Sequence, residues 1–167
     1  SDENMKVALE AGMKSIVLLK NDKSLLPLAK KGDKIALIGP LASDKNSPLG
    51  NWRSQAVYNS ASSVLEGMKN NSKNKISYAK GLDLYYGKTN FHNRVKVNYG
   101  DKSGFGKAKS IASTSDVVVI VLGEEGHQSG EGRSRTNIGL PGIQLELLKE
   151  IYKVNKNIVL VVMSGRP

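Results

Sequence analysis

Residues 123–136 read GEEGHQSGEGRSRT and follow directly on DVVVIVL. Three carboxylates (Glu124, Glu125, Glu131), a histidine (His127) and two arginines (Arg133, Arg135) fall between one strand-ending glycine and the next helix signal. Carboxyl groups placed among cations and apolar walls can have their proton affinity tuned for acid/base work. The run Val117–Leu122 is β-branched and continuously apolar, as expected of a strand buried on both faces. In open α/β sheets ligands collect at the carboxyl ends of such strands. The loop therefore has both the residue types and the place for chemistry.

Other chemistries need signals that are missing. Dinucleotide binding calls for GxGxxG between the first strand and its helix, and the first strand here ends in GPLASDKN. GEEG and SGEG bring acid where a phosphate needs bare amides, and there is no GxxxxGK[ST]. Two histidines, His92 and His127, are too few for a His-rich zinc centre, and arginines beside the carboxylates point to ion pairing, so no metal is expected. Ser129 lies in QSGEG, away from a strand-to-helix elbow, which leaves a serine triad without its frame. Trp52, between Asn51 and Arg53 in a polar stretch, reads either as a stacking platform for a sugar ring or as a packing tryptophan.

The elements that must position this loop are readable in the hydrophobic periodicity. Met5, Ala8, Leu9, Gly12, Met13, Ile16 and Val17 mark an amphipathic helix with Asp2 and Glu3 at its amino end. Strands are expected at Lys34–Ile38, Ile76–Ala79, Val117–Leu122 and Ile158–Met163, and helices at Ala61–Met68, Gly106–Ser113 and from Ile143 to Tyr152. Residues 41–60 and 80–105 read as loops. Strands alternating with helices imply parallel pairing and right-handed crossovers. The fold class is α/β: a doubly wound, mostly parallel sheet with helices on both faces, an α/β sandwich in one domain over residues 1–167. Gly39, Gly123 and Gly165 each follow a strand, so their loops should open on one side and gather Trp52, the 123–136 loop and Arg166 at one crevice.

Composition narrows the partners. The net charge is +10, from 25 Lys+Arg against 15 Asp+Glu. The lysines are scattered singly, with KKGDK (Lys30–Lys34) the tightest cluster and no interleaved aromatics. That pattern is a solvated surface rather than a nucleic-acid footprint. No apolar run approaches the ~18 residues of a membrane span, so no membrane insertion is expected. Cysteine is absent, which removes disulfides and thiolate chemistry and suits a periplasmic or secreted protein as well as a cytoplasmic one. The chain opens on SDENMKV without an initiator Met and stops at SGRP after an apolar strand, so we expect a piece of a longer protein.

The segments AGMKSIVLLKNDKSLLPL, KIALIGPLA, LGNW, DVVVIVLGE, SGEGRSRTNIGLPGIQLELLKEI and SGRP resemble, in order, the second domain of glycoside hydrolase family three, from Met5 to Pro167. That family holds β-glucosidases, β-xylosidases and β-N-acetylglucosaminidases. The resemblance implies a retaining exo-glycosidase without cofactor, periplasmic or secreted, acting on terminal β-linked glucosyl residues of a β-glucoside or oligosaccharide. It implies that an upstream (β/α)8 barrel carries the aspartate nucleophile and that an α/β sandwich carries the general acid/base. In members with SGEG before a basic residue the acid/base is the glutamate of that motif, here Glu131, with Glu124 and Glu125 as fallbacks. The SGEG motif sets the chain apart from the N-acetylglucosaminidase branch. Trp52, Arg133 and Arg135 are the expected substrate-side residues, the arginines either holding the loop or binding hydroxyls. No part of residues 1–167 looks like a barrel and no nucleophile motif is present. The domain should also continue past SGRP, so the chain is expected to be truncated at its C-terminal end and inactive alone. The competing readings are a non-catalytic carbohydrate-binding or lid domain and a basic interaction scaffold.

Overall fold

A computed structural model describes residues 1–22, 24–90 and 92–166. Lys23 and Pro167, which belong to two of the motifs above, lie outside the described residues. Along the chain run α1 (Asp2–Lys14), β1 (Lys34–Ile38), α2 (Val64–Asn71), β2 (Lys75–Ala79), β3 (Tyr85–Tyr86), β4 (Lys96–Val97), α3 (Phe105–Ser113), β5 (Val117–Gly123), α4 (Gln144–Val154) and β6 (Ile158–Met163).

The four longer strands form one parallel sheet in the order β2-β1-β5-β6. Ile35 stands opposite Ile76 on one side and Val117 on the other, and Gly123 stands opposite Met163. Every residue of β5 is buried, as its unbroken apolar run requires. The chain steps from β1 outward to β2, then back across β1 to β5 and on to β6. Right-handed crossovers then put α2 on one face and α3 with α4 on the other. The packing agrees: α3 and α4 touch each other, bridged by Lys109 and Glu150 at 2.8 Å, while Val64, Leu65 and Met68 of α2 pack on the core. The doubly wound α/β expectation is met.

Helix α2 starts at Val64 rather than Ala61, because Ser63 and Glu66 form a reciprocal capping box there. The amphipathic stripe of α1 was expected to run to Val17, yet the helix stops at Lys14. No residue of α1 is buried, and Leu9, Met13, Ile16 and Leu19 are 66, 66, 79 and 87% exposed. The stripe is real, but among the described residues it is left exposed. Residues 80–105 are not all loop. The short antiparallel pair β3–β4 is pinned by buried Asn98, whose carboxamide donates to the carbonyls of Asp83 and Asp101 and accepts from the Tyr86 hydroxyl at 2.7 Å. At the other end of the sheet β6 is an edge strand, with Leu160 and Val162 exposed.

Candidate functional site

β5 delivers its carboxyl end through Gly123, at φ 140°, where a Cβ would lie 1.8 Å from the Met163 carbonyl oxygen. Only glycine allows β6 to pass that close. The Glu124 amide extends the pairing by donating to the same oxygen at 2.8 Å. Gln144, fully buried at the start of α4, clasps Gly123 with both ends of its carboxamide and donates to Pro141 O at 2.9 Å.

The two carboxylates after Gly123 are buried and already engaged. The Glu124 side chain is 4% exposed, and its Oε1 accepts from Arg135 and, at 3.0 Å, from Arg166 Nε. Its Oε2 has no partner among the described residues. Glu125 caps the 3-10 turn Gly126–Gln128: it accepts from the His127 amide at 2.9 Å, lies 2.7 Å from His127 Nδ1, and receives the Thr89 hydroxyl at 3.2 Å. His127 Nδ1 is also 3.4 Å from Arg53 Nη2. These pairs brace the loop from below.

Glu131 is different. It is exposed, and among the described residues it enters no ion pair. It sits in a tight turn closed by the Arg133 amide donating to Gly130 O at 3.2 Å, between Gly130 at φ 101° and Gly132 at φ 68°. A Cβ at Gly130 would lie 2.0 Å from Asn51 Nδ2, so the turn rests directly on the 41–60 loop. That loop meets the 123–136 loop again where the Gly126 amide donates to Ser47 Oγ at 3.1 Å.

The loops after β1, β5 and β6 meet, with Arg166 on Glu124, and Asn51 and Arg53 on the 123–136 loop. Trp52 is 70% exposed. Arg133 donates to Asn90 O at 3.3 Å. Arg135 binds Glu124 and donates to Gly139 O at 2.6 Å, the loop-holding half of its two expected roles. A cavity of about 610 Å³ opens beside Glu125 and His127, walled by Arg53, Tyr58, Tyr85 and Thr89. Burial pushes the Tyr85 hydroxyl above its ordinary value, and the carboxylates of Glu125 and Asp44 add to the effect. Among the described residues no group of three or more His, Asp or Glu could hold a metal ion.

Gln144 and Asn51 were not among the expected site residues, whereas Arg166 was expected beside the 123–136 loop and lies there. Gln144 had a signal: it occupies an apolar-stripe position with Leu147, Leu148 and Ile151, where a polar residue needs a buried partner. The place of Arg166 was legible because Gly165 follows a strand, but its three acceptors were not.

Residues 16–167 match the model of the glycosyl hydrolase family 3 C-terminal domain. Over its whole length the chain is 37% identical to a β-xylosidase of Formosa agariphila, and over 97% of it 37% identical to a periplasmic β-glucosidase of Salmonella typhimurium. It spans 22% of the length of each of these relatives. The solved β-glucosidase of Listeria innocua in complex with isofagomine superposes with a TM-score of 0.82 at 31% identity, covering all of this chain and 21% of that one.

Proposed function

The chain belongs to glycoside hydrolase family 3 as part of its C-terminal domain, and on that premise we propose that it supplies the general acid/base of a retaining exo-β-glycosidase that releases terminal β-linked glucose. The observation that carries the proposal is the contrast within one loop. Glu124 and Glu125 are buried and tied to Arg135, Arg166 and His127, while Glu131 stands exposed on a glycine-flanked turn. A buried, ion-paired carboxylate cannot approach a glycosidic oxygen; an exposed one at a strand's carboxyl end can.

Retaining hydrolysis needs a second carboxylate about 5–5.5 Å from the first. In the proposed enzyme that group is an aspartate on an upstream (β/α)8 barrel. It attacks the anomeric carbon while Glu131 gives its proton to the leaving oxygen. Glu131, now a carboxylate, then takes a proton from the water that cleaves the glycosyl–enzyme ester, and both groups return to their starting states. Trp52 and Arg133 are proposed to contact the sugar, the first by stacking. Arg135, with a guanidinium engaged by Glu124 and Gly139, acts on the substrate side by holding the loop. The exposed apolar residues of α1 and of Ile16–Leu19 support docking on the barrel. The name of the Salmonella relative supports a periplasmic or secreted location.

The second reading, a carbohydrate-binding or lid domain without an acid/base role, draws on the exposed Trp52 alone. Replacing Glu131 in the full-length enzyme and comparing substrates with good and poor leaving groups separates the two.

A further inference from the structure

We propose that Arg166 is a positioning residue for Glu131, a clamp that sets the height and tilt of the acid/base turn. The proposal rests on Glu131 being the acid/base.

The geometry is specific. From the turn after β6, the Arg166 guanidinium reaches three acceptors on the 123–136 loop. Nε donates to Glu124 Oε1 at 3.0 Å, and Nη2 donates to the carbonyls of Gln128 and Arg133 at 2.6 Å each. Gln128 and Arg133 lie on either side of Glu131 in sequence, so one planar cation joins both shoulders of its turn. The same turn touches the loop a second time: a Cβ at Gly165 would lie 2.8 Å from Ser129 Oγ, one residue before Gly130. Arg166 itself is steadied by its own amide donating to Ser164 Oγ at 3.1 Å.

The charges support a clamp rather than a substrate ligand. Glu124, 4% exposed, receives Arg135 and Arg166 on one oxygen and so anchors the guanidinium against the end of β5. Charge-assisted bonds of this kind, largely out of water, are among the stronger ones a loop can use. A lysine could keep the charge but not the planar fork, so it cannot serve the carboxylate and both carbonyls together. Small misplacements of a reacting group are costly, on the order of 100-fold in rate for about 1 Å. The Arg166 guanidinium is engaged by Glu124 and the loop carbonyls, and Glu131 is the group that moves if the clamp is lost.

The test uses the full-length enzyme with Arg166→Lys, measured over aryl and alkyl β-glucosides of graded leaving-group pKa. The expected result is a loss of kcat/KM on the order of 10- to 100-fold for poor leaving groups, a much smaller loss for activated ones, and so a steeper leaving-group dependence than the parent. A merely structural role would lower all substrates alike. Glu124→Gln, which removes the anchoring charge and keeps the shape, is expected to steepen the dependence in the same direction, and decides the matter if Arg166→Lys does not fold. An unchanged slope in the folded variant overturns the clamp. If Glu131→Ala itself leaves the slope unchanged, the acid/base assignment fails; if Glu131→Ala steepens it and Arg166→Lys does not, only the clamp fails.

Discussion

Gln144 holds the end of β5 by a two-way contact with Gly123: the Gly123 amide donates to its Oε1 at 2.8 Å, and its Nε2 donates to the Gly123 carbonyl at 2.8 Å. The amide end of the same side chain also serves Pro141 O. One buried carboxamide thus ties the last residue of the central strand to the start of α4, at the residue just before Glu124 and Glu125.

Replacing it should be expensive. Gln144→Met keeps the volume and leaves buried backbone groups of Gly123 and Pro141 without partners. The expected loss is about 2–3 kcal/mol of unfolding free energy, read as a lower urea midpoint with an unchanged slope. A shift of a few tenths would mean that water or a rearranged backbone replaces the amide.

Much of this frame was legible before the structure. β1, β5 and β6 lie within one residue of where their apolar runs place them; for β1 and β5 the run reflects burial on both faces, whereas β6, expected to be buried, is an edge strand whose Leu160 and Val162 are exposed. The pair β3–β4 left none: its strands have two residues each and depend on Asn98, whose side chain reaches back to the Tyr86 hydroxyl and the Asp83 carbonyl. The end of α1 was also obscured, since Ile16 and Val17 continue the helical spacing after the helix has stopped. Within the site, the loop was legible by composition, and the motif singled out Glu131 as the candidate acid/base. Three glutamates in one loop look alike in sequence; only burial and partners separate Glu124 and Glu125 from Glu131.

The tie between α3 and α4 should depend on acid. Lys109 and Lys153 bond the Glu150 carboxyl and hold it down to about 2, against an ordinary 4.5. A carboxyl whose folded value is depressed adds stability above its unfolded value and loses it as pH falls through the folded one. Glu150 should therefore contribute at pH 6 and progressively less between about 4.5 and about 2. The group is on the surface, so the effect is small and salt-sensitive. The check is the difference in Tm between the parent and Glu150→Gln, which should shrink across that window and stay constant above it.

Residues 1–167 alone are expected to leave an aryl β-glucoside untouched, because the proposed retaining mechanism takes its nucleophile from an upstream barrel. The exposed side chains of α1, Ile16–Leu19, Leu160 and Val162 should also make the isolated chain self-associate, seen as concentration-dependent mass in light scattering. Turnover by the purified chain would refute the two-domain reading.

The most direct test of the acid/base assignment is Glu131→Ala in the full-length enzyme, assayed with and without azide on glucosides of good and poor leaving groups. On this assignment poor leaving groups need a proton that Glu131 would give, so their hydrolysis should fall steeply while activated aryl glucosides still form the glycosyl–enzyme. Azide should then restore turnover by attacking in place of the water that Glu131 no longer activates, yielding β-glucosyl azide. Glu125→Ala should show no such rescue, and Glu124→Ala far less than Glu131→Ala, since it only displaces Glu131. Azide rescue in either of those variants, with Glu131→Ala close to the parent, would contradict the assignment.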